Sequence, residues 1–206
     1  MLKCVRYISL LFFCTVLLVG CHSREVTDEA TPDINLDNFA KLQLGTTYKE
    51  CCDLFKQEGK VPNKALNDMF YRGIIVDGYI WQKVDSEGRK GGYIRVYFQN
   101  DKAVMKSQTI TSKVKYPLEF EDARLRWRLI ERGMSFAQVA EQIGGKGYLT
   151  SEIYQDLVTG EKISNSAKRS VRQVYTFGSV DNFDDKNIVL KATFVDDRLV
   201  SRTSNF

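Results

Sequence analysis

The stretches NFAKLQLGTTY (38–48) and RWRLIERGMSF (126–136) decide the fold. Set 88 residues apart, they place Phe39 on Trp127, Leu42 on Ile130, Gly45 on Gly133 and Tyr48 on Phe136. The match runs on through Cys51 with Val139 and Phe55 with Ile143, at the spacing of one buried helix face. Thr47-x-x-Glu50 and Ser135-x-x-Gln138 are both capping boxes: the hydroxyl accepts from an orphan helical N–H, and the acid or amide reaches back to another. Gly45 and Gly133 stand where the chain must turn tightly before each helix.

The second halves match at an offset of 96: Tyr79 with Tyr175, Trp81 with Phe177, Phe98 with Phe194 and Val104 with Val200. Asn100-Asp101 and Asp196-Asp197 read as hairpin turns between β-rich runs. The offset grows by about eight residues between Gly144 and Arg172, where the polar stretch Thr159–Lys168 reads as an exposed loop. Strands are expected near 78–84, 93–99, 103–110, 171–178, 187–195 and 199–205. Asn63–Tyr71 and Ser151–Leu157 are expected to be second helices or turns. The expected fold class is α+β: two tandem units, each a short helix-helix part packed on one face of an antiparallel meander sheet. The expected units are 39–112 and 113–206, linked near Ser112–Phe120 with Pro117 as punctuation.

The first twenty residues read as an address. Lys3 and Arg6 precede a 14-residue apolar run from Tyr7 to Gly20, the length of a signal-peptide core rather than of a bilayer span. It ends in Leu18-Val19-Gly20-Cys21, which resembles the bacterial lipobox. That resemblance implies cleavage between Gly20 and Cys21 and lipidation of the Cys21 thiol, with acyl chains as the membrane anchor. The expected location is the bacterial cell envelope: the outer membrane facing the periplasm in a two-membrane cell, the outer face of the cell membrane in a one-membrane cell. His22–Asn38 reads as a flexible tether (21–38 with the lipidated Cys), reaching roughly 20–25 Å as coil.

Composition excludes several classes. The chain is 43% hydrophobic and 27% charged, so it is neither disordered nor a multi-pass membrane protein. Its formal charge of +4 falls to +2 once Lys3 and Arg6 leave, which suggests neither nucleic acid nor electrostatic adhesion to anionic lipid. His22 is the single His, which argues against His-based catalysis and His-rich metal sites. After cleavage only Cys51 and Cys52 remain unmodified, and neighbours cannot form an ordinary disulfide. Cys51 reads as a small buried hydrophobe, and an intermolecular disulfide through Cys52 is the rival reading.

Gly144-Gly145-Lys146-Gly147 lacks phosphate-loop spacing and reads as a helix C-cap. Asp181, Asp184 and Asp185 lack calcium-loop spacing. Glu119 and Glu121 have no partner spacing that supports catalysis. No catalytic residue, cofactor, metal or small-molecule substrate is expected.

The helix starts Gly45–Tyr48 and Gly133–Phe136, the strand pairs Tyr79/Trp81 and Tyr175/Phe177, and the hairpins after Phe98 and Phe194 together resemble the beta-lactamase inhibitory protein family and its lipoprotein relatives. A single unit is similar to the small outer-membrane lipoprotein of the barrel-assembly machinery. The resemblance covers roughly residues 38–206 and implies an open sheet face that contacts another protein. One departure is plain: the inhibitor's units are usually disulfide-stapled, and the second unit here has no Cys.

On 93–99, Ile94, Val96 and Phe98 alternate with Tyr93, Arg95 and Tyr97. The first set is expected to face the helices and the second to face out, where Tyr and Arg make interface hot spots. Tyr79 and Trp81 are expected in the core, with Ile80 and its counterpart Thr176 exposed on the other side. The expected function is a non-enzymatic, lipid-anchored protein-binding module for another envelope or secreted protein. The alternative is an envelope or outer-membrane assembly or integrity factor within a complex.

Overall fold

A computed structural model of the chain describes residues 31–62, 77–110, 120–160, 168–178 and 189–204. The expectations for Gly20, Cys21, His22, Asn63–Tyr71, Pro117 and Asp181–Asp185 lie outside the described residues.

The first unit opens with helices α1 (Leu36–Lys41) and α2 (Tyr48–Phe55), followed by strands β1 (Asp77–Val84), β2 (Lys90–Gln99) and β3 (Lys102–Gln108). The second carries α3 (Phe120–Arg128), α4 (Phe136–Ile143), β4 (Tyr148–Tyr154), α5 (Gln155–Thr159), β5 (Val171–Gly178), β6 (Val189–Val195) and β7 (Arg198–Ser204). The described strands form one antiparallel seven-stranded meander in chain order. The fold is α+β, as expected. The units share a continuous sheet, joined where Met105–Ser107 of β3 pairs Ile153–Ser151 of β4.

The duplication is written in contacts. Both capping boxes form, at Thr47/Glu50 and Ser135/Gln138. Before each helix the chain clasps the hairpin behind it: Gly45 N–H donates to Ala103 O and Gly133 N–H to Leu199 O, while Ala103 N–H and Leu199 N–H return bonds to Thr46 O and Met134 O. The first helical N–H then meets the hairpin acid, Tyr48 with Asp101 at 3.2 Å and Phe136 with Asp197 at 2.9 Å. Asn100 and Asp101, like Asp196 and Asp197, have positive φ at both turn positions, as a type I′ hairpin requires.

Each unit has its own core. Phe39, Cys51, Phe55, Trp81, Ile94, Val96 and Phe98 are buried in the first. Trp127, Val139, Ile143, Phe177, Leu190, Ala192 and Phe194 are buried in the second. Tyr48 lies 4.4 Å from Tyr79 and edge-on to Phe98; Phe136 lies 4.3 Å from Tyr175 and edge-on to Phe194. Bulges at Val104 and Val200 recur in the same hairpin position, since Tyr97–Phe98 opposes Met105 and Ala103 as Thr193–Phe194 opposes Ser201 and Leu199.

Three readings need correction. The tether does not extend to residue 38: Ile34 is fully buried in the first core, and the Thr31 hydroxyl both donates to Val84 O and accepts from Val84 N–H. Ser151–Leu157 is not a single helix or turn: strand β4 runs to Tyr154, paired on both sides, and only then does the short helix α5 begin. Thr176 is buried, lying between Tyr148 and Lys191 on the interior strand β5.

Candidate functional site

The sheet face turned away from α1–α4 carries the residues singled out for partner contact. Strict alternation along β2 sends Ile94, Val96 and Phe98 into the first core and Tyr93, Arg95 and Tyr97 to the opposite face. Cross-strand register extends that face into a lateral row: Ile80, Arg95, Ser107, Ser151, Val174, Thr193 and Ser201 oppose one another in turn across the sheet. Beyond Arg95 the row is built of small or β-branched side chains.

Arg95 is held rather than free. Its guanidinium carbon sits 5.1 Å from the Tyr93 ring centroid, a cation–π arrangement. Its Nη1 donates to Tyr97 Oη at 3.4 Å. Its Nε–H is buried with no hydrogen-bond acceptor among the described residues. The planar fork is therefore fixed in direction, and fixing it beforehand lowers the entropy lost when a partner's carboxylate is gripped.

Tyr97 does not face out as expected. It is 5% exposed and packs with Val104, Ile153 and Leu157, with Met105, Tyr154 and Val158 around them. The cause is α5, which folds back over this part of the face and lays Leu157 on the Tyr97 ring's surroundings. The face therefore presents Tyr93 and Arg95, both half-buried, while Tyr97 supports the arginine from beneath the helix.

On the helix side, a groove of about 1080 Å³ runs between the two helical pairs, which sequence reasoning did not foresee. Its floor holds Lys106, Glu152 and Gln173, and its walls include Leu36, Phe136 and Tyr175. Lys106 Nζ pairs with Glu152 at 3.0 Å, and Gln173 donates to the same carboxylate at 2.9 Å. Lys106 also donates to Phe39 O in the last turn of α1 and to Leu42 O at its C-cap. Burial lowers the Lys106 pKa, and Glu152 opposes the shift. These groups are committed to each other and to a helix end, so the floor is a seam between units.

That lysine has a counterpart. Arg202 stands 96 residues on, donates to Trp127 O at the end of α3 and lies over the Trp127 ring, as Lys106 lies over Phe39. Each unit thus closes its first helix with a cation from its last strand, where the helix dipole favours positive charge. The aligned Lys106/Arg202 pair was the signal in the sequence, but a basic residue on a strand reads ordinarily as surface.

Cys51 is fully buried and Cys52 half-buried, both as free thiols. Burial pushes the Cys51 thiol up to about 12, so it is a packing group rather than a nucleophile. Glu121 pairs with Arg124 at 2.8 Å. Gly144 is the left-handed C-cap of α4, as expected. Among the described residues no group of three or more His, Cys, Asp or Glu is disposed to hold a metal ion.

No protein-family model matches the chain, and no curated protein matches it. A solved structure does: a Streptococcus mutans protein provisionally described as a beta-lactamase inhibitor protein, at 16% identity and a TM-score of 0.50. The similarity covers 85% of this chain and 98% of that one, and it is a likeness of fold.

Proposed function

We propose that this chain is a non-enzymatic protein-binding module that works through the sheet face opposite its helices, with Tyr93 and Arg95 of the first unit as the anchors. The observation that carries the reading is the preset Tyr93–Arg95 stack, underpinned by Tyr97, toward one end of a lateral row otherwise built of small or β-branched side chains. Aromatic and arginine side chains fixed in advance are the ones that give interfaces most of their affinity. The equivalent positions of the second unit, Val189, Lys191 and Thr193, offer no such stack, so the first unit makes the larger contribution. The likeness in fold to a protein described as an inhibitor of another protein supports this reading.

The module is placed in the bacterial cell envelope, held by acyl chains on Cys21 after cleavage at Gly20. The support is the charge, length and box of residues 1–21. Two experiments test the pair of statements separately. Cys21→Ser should abolish incorporation of labelled fatty acid; labelling that persists removes the anchor. Affinity capture from solubilised envelope should recover a protein with wild type and lose it with Tyr93→Ala plus Arg95→Glu. Identical profiles from both would remove the assigned face.

A further inference from the structure

The second unit carries a feature that the first lacks. Leu125 on α3 and Leu129, in the turn just past its end, stand four residues apart and are 55% and 61% exposed. They point away from the sheet, because Ala123 and Trp127 occupy the buried side of the same helix. Arg126 and Arg128 flank them, both exposed, and Arg132 follows the helix end. From β7, Arg202 reaches Trp127 O and Arg198 reaches Gly133 O at 3.2 Å, bringing two more guanidinium groups to the same end. Glu121 and Asp122 stand at the other end of α3, Glu121 already tied to Arg124. Glu131 is the one acid of the segment from Arg124 to Arg132.

The duplication supplies an internal control. At the offset of 88, Leu125 and Leu129 correspond to Asp37 and Lys41 on α1, both exposed. The same two positions of the same fold are therefore charged in one copy and apolar in the other. Nothing in the fold requires the leucines.

We propose that the outward face of α3 seats on an anionic lipid surface. A helix lying parallel to a bilayer buries leucines in the headgroup boundary while arginines beside them reach the phosphates, and α3 has that arrangement. Two leucines are too little for a stable protein–protein interface, which buries on the order of 1,200 Å² or more. They suffice to reinforce electrostatic attraction to a charged surface. The small net charge of the chain conceals this, because the arginines cluster at one helix end. The orientation also follows: with α3 against the membrane, Tyr93 and Arg95 on the opposite face of the sheet point away from it. The inference stands apart from both the acyl anchor and the partner face, since it uses neither Cys21 nor the β2 residues.

The test uses the full chain reconstituted in vesicles of phosphatidylcholine, with or without about one-third phosphatidylglycerol, and hydrogen exchange of the amides from Arg124 to Arg132. Wild type should exchange several-fold more slowly on the anionic vesicles, and high salt should weaken the effect. Leu125→Asp plus Leu129→Lys, which installs the residues of α1, should abolish the difference, and so should Arg128→Glu plus Arg132→Glu. Circular dichroism confirms that each variant stays folded. Equal exchange of wild type on the two vesicle types overturns the proposal, as does protection that survives in both variants. A photoreactive leucine at position 129 that crosslinks protein instead of lipid overturns it in favour of a protein partner.

Discussion

Gly147→Ala should destabilise the protein through a single ring. A Cβ at Gly147 would lie 2.7 Å from Cε1 and Cζ of Phe177, and 3.0 Å from Cδ1. Carbon atoms in good contact sit about 3.5–4.0 Å apart, so the ring must move by nearly 1 Å. It has little room: Phe177 is fully buried, and Phe136 stacks against it with centroids 6.1 Å apart. Overpacking of this kind costs roughly 1–3 kcal/mol, against which the stiffer unfolded chain returns about 0.4–1 kcal/mol. The net expected loss is about 1–2 kcal/mol, seen as a fall in Tm of roughly 2–8 °C for a domain of this size. Urea denaturation of wild type, Gly147→Ala, Phe177→Leu and the double variant completes the cycle. Leucine lacks the ring atoms that clash, so the double variant should lose at least about 1 kcal/mol less than the sum of the single losses. Additive losses, or a Gly147→Ala loss under about 0.5 kcal/mol, would refute the reasoning. The duplication extends the prediction: a Cβ at Gly59 would lie 2.7 Å from Trp81 Cζ2, so Gly59→Ala should be destabilising too.

Further outcomes follow from the shared seam, the helix caps and the covered tyrosine. Lys106→Met should cost about 3–5 kcal/mol in chemical denaturation, because it strands Glu152 and uncaps α1; adding Glu152→Leu should recover part of that loss, and no recovery would contradict the ion-pair account. The first capping box titrates and the second does not. Bonds from the Thr47 backbone and hydroxyl hold the Glu50 carboxyl below its ordinary value, so its contribution is present above that ordinary value and is lost as pH falls through the lowered one. Amides at the start of α2 should therefore exchange faster in acid while those at the start of α4, capped by Gln138, keep their pH-corrected protection; parallel behaviour would contradict this. Leu157→Ala should loosen α5 and raise exchange from Ile153 to Thr159 while both main cores stay protected; an unchanged exchange pattern would mean that α5 does not cover Tyr97.

The parts of this fold that sequence made legible are those governed by local rules. Capping boxes, type I′ hairpin acids and the aromatic pairs of β1 and β5 each depend on a few neighbouring residues, and each occurs twice. Repetition separated them from chance. The strand β4 and helix α5 escaped because they lack a readable copy to compare and because YLTSEIY has no clean alternation of apolar and polar residues. That omission propagated into the site: without α5 above it, Tyr97 belonged with Tyr93 and Arg95 on an open face. The cationic caps Lys106 and Arg202 escaped for a different reason. Their role depends on where the end of α1 or α3 lands against the last strand of the unit, a tertiary placement that spacing along the chain does not encode.

The claim that the sheet face opposite the helices is the working surface is tested most directly by a photoreactive amino acid installed in living cells at position 93, and separately at exposed Lys49 on α2. The account predicts a discrete protein adduct from position 93 that is absent from position 49 and is lost when Arg95→Glu is added. The same adducts from both positions, or none from position 93, would contradict it.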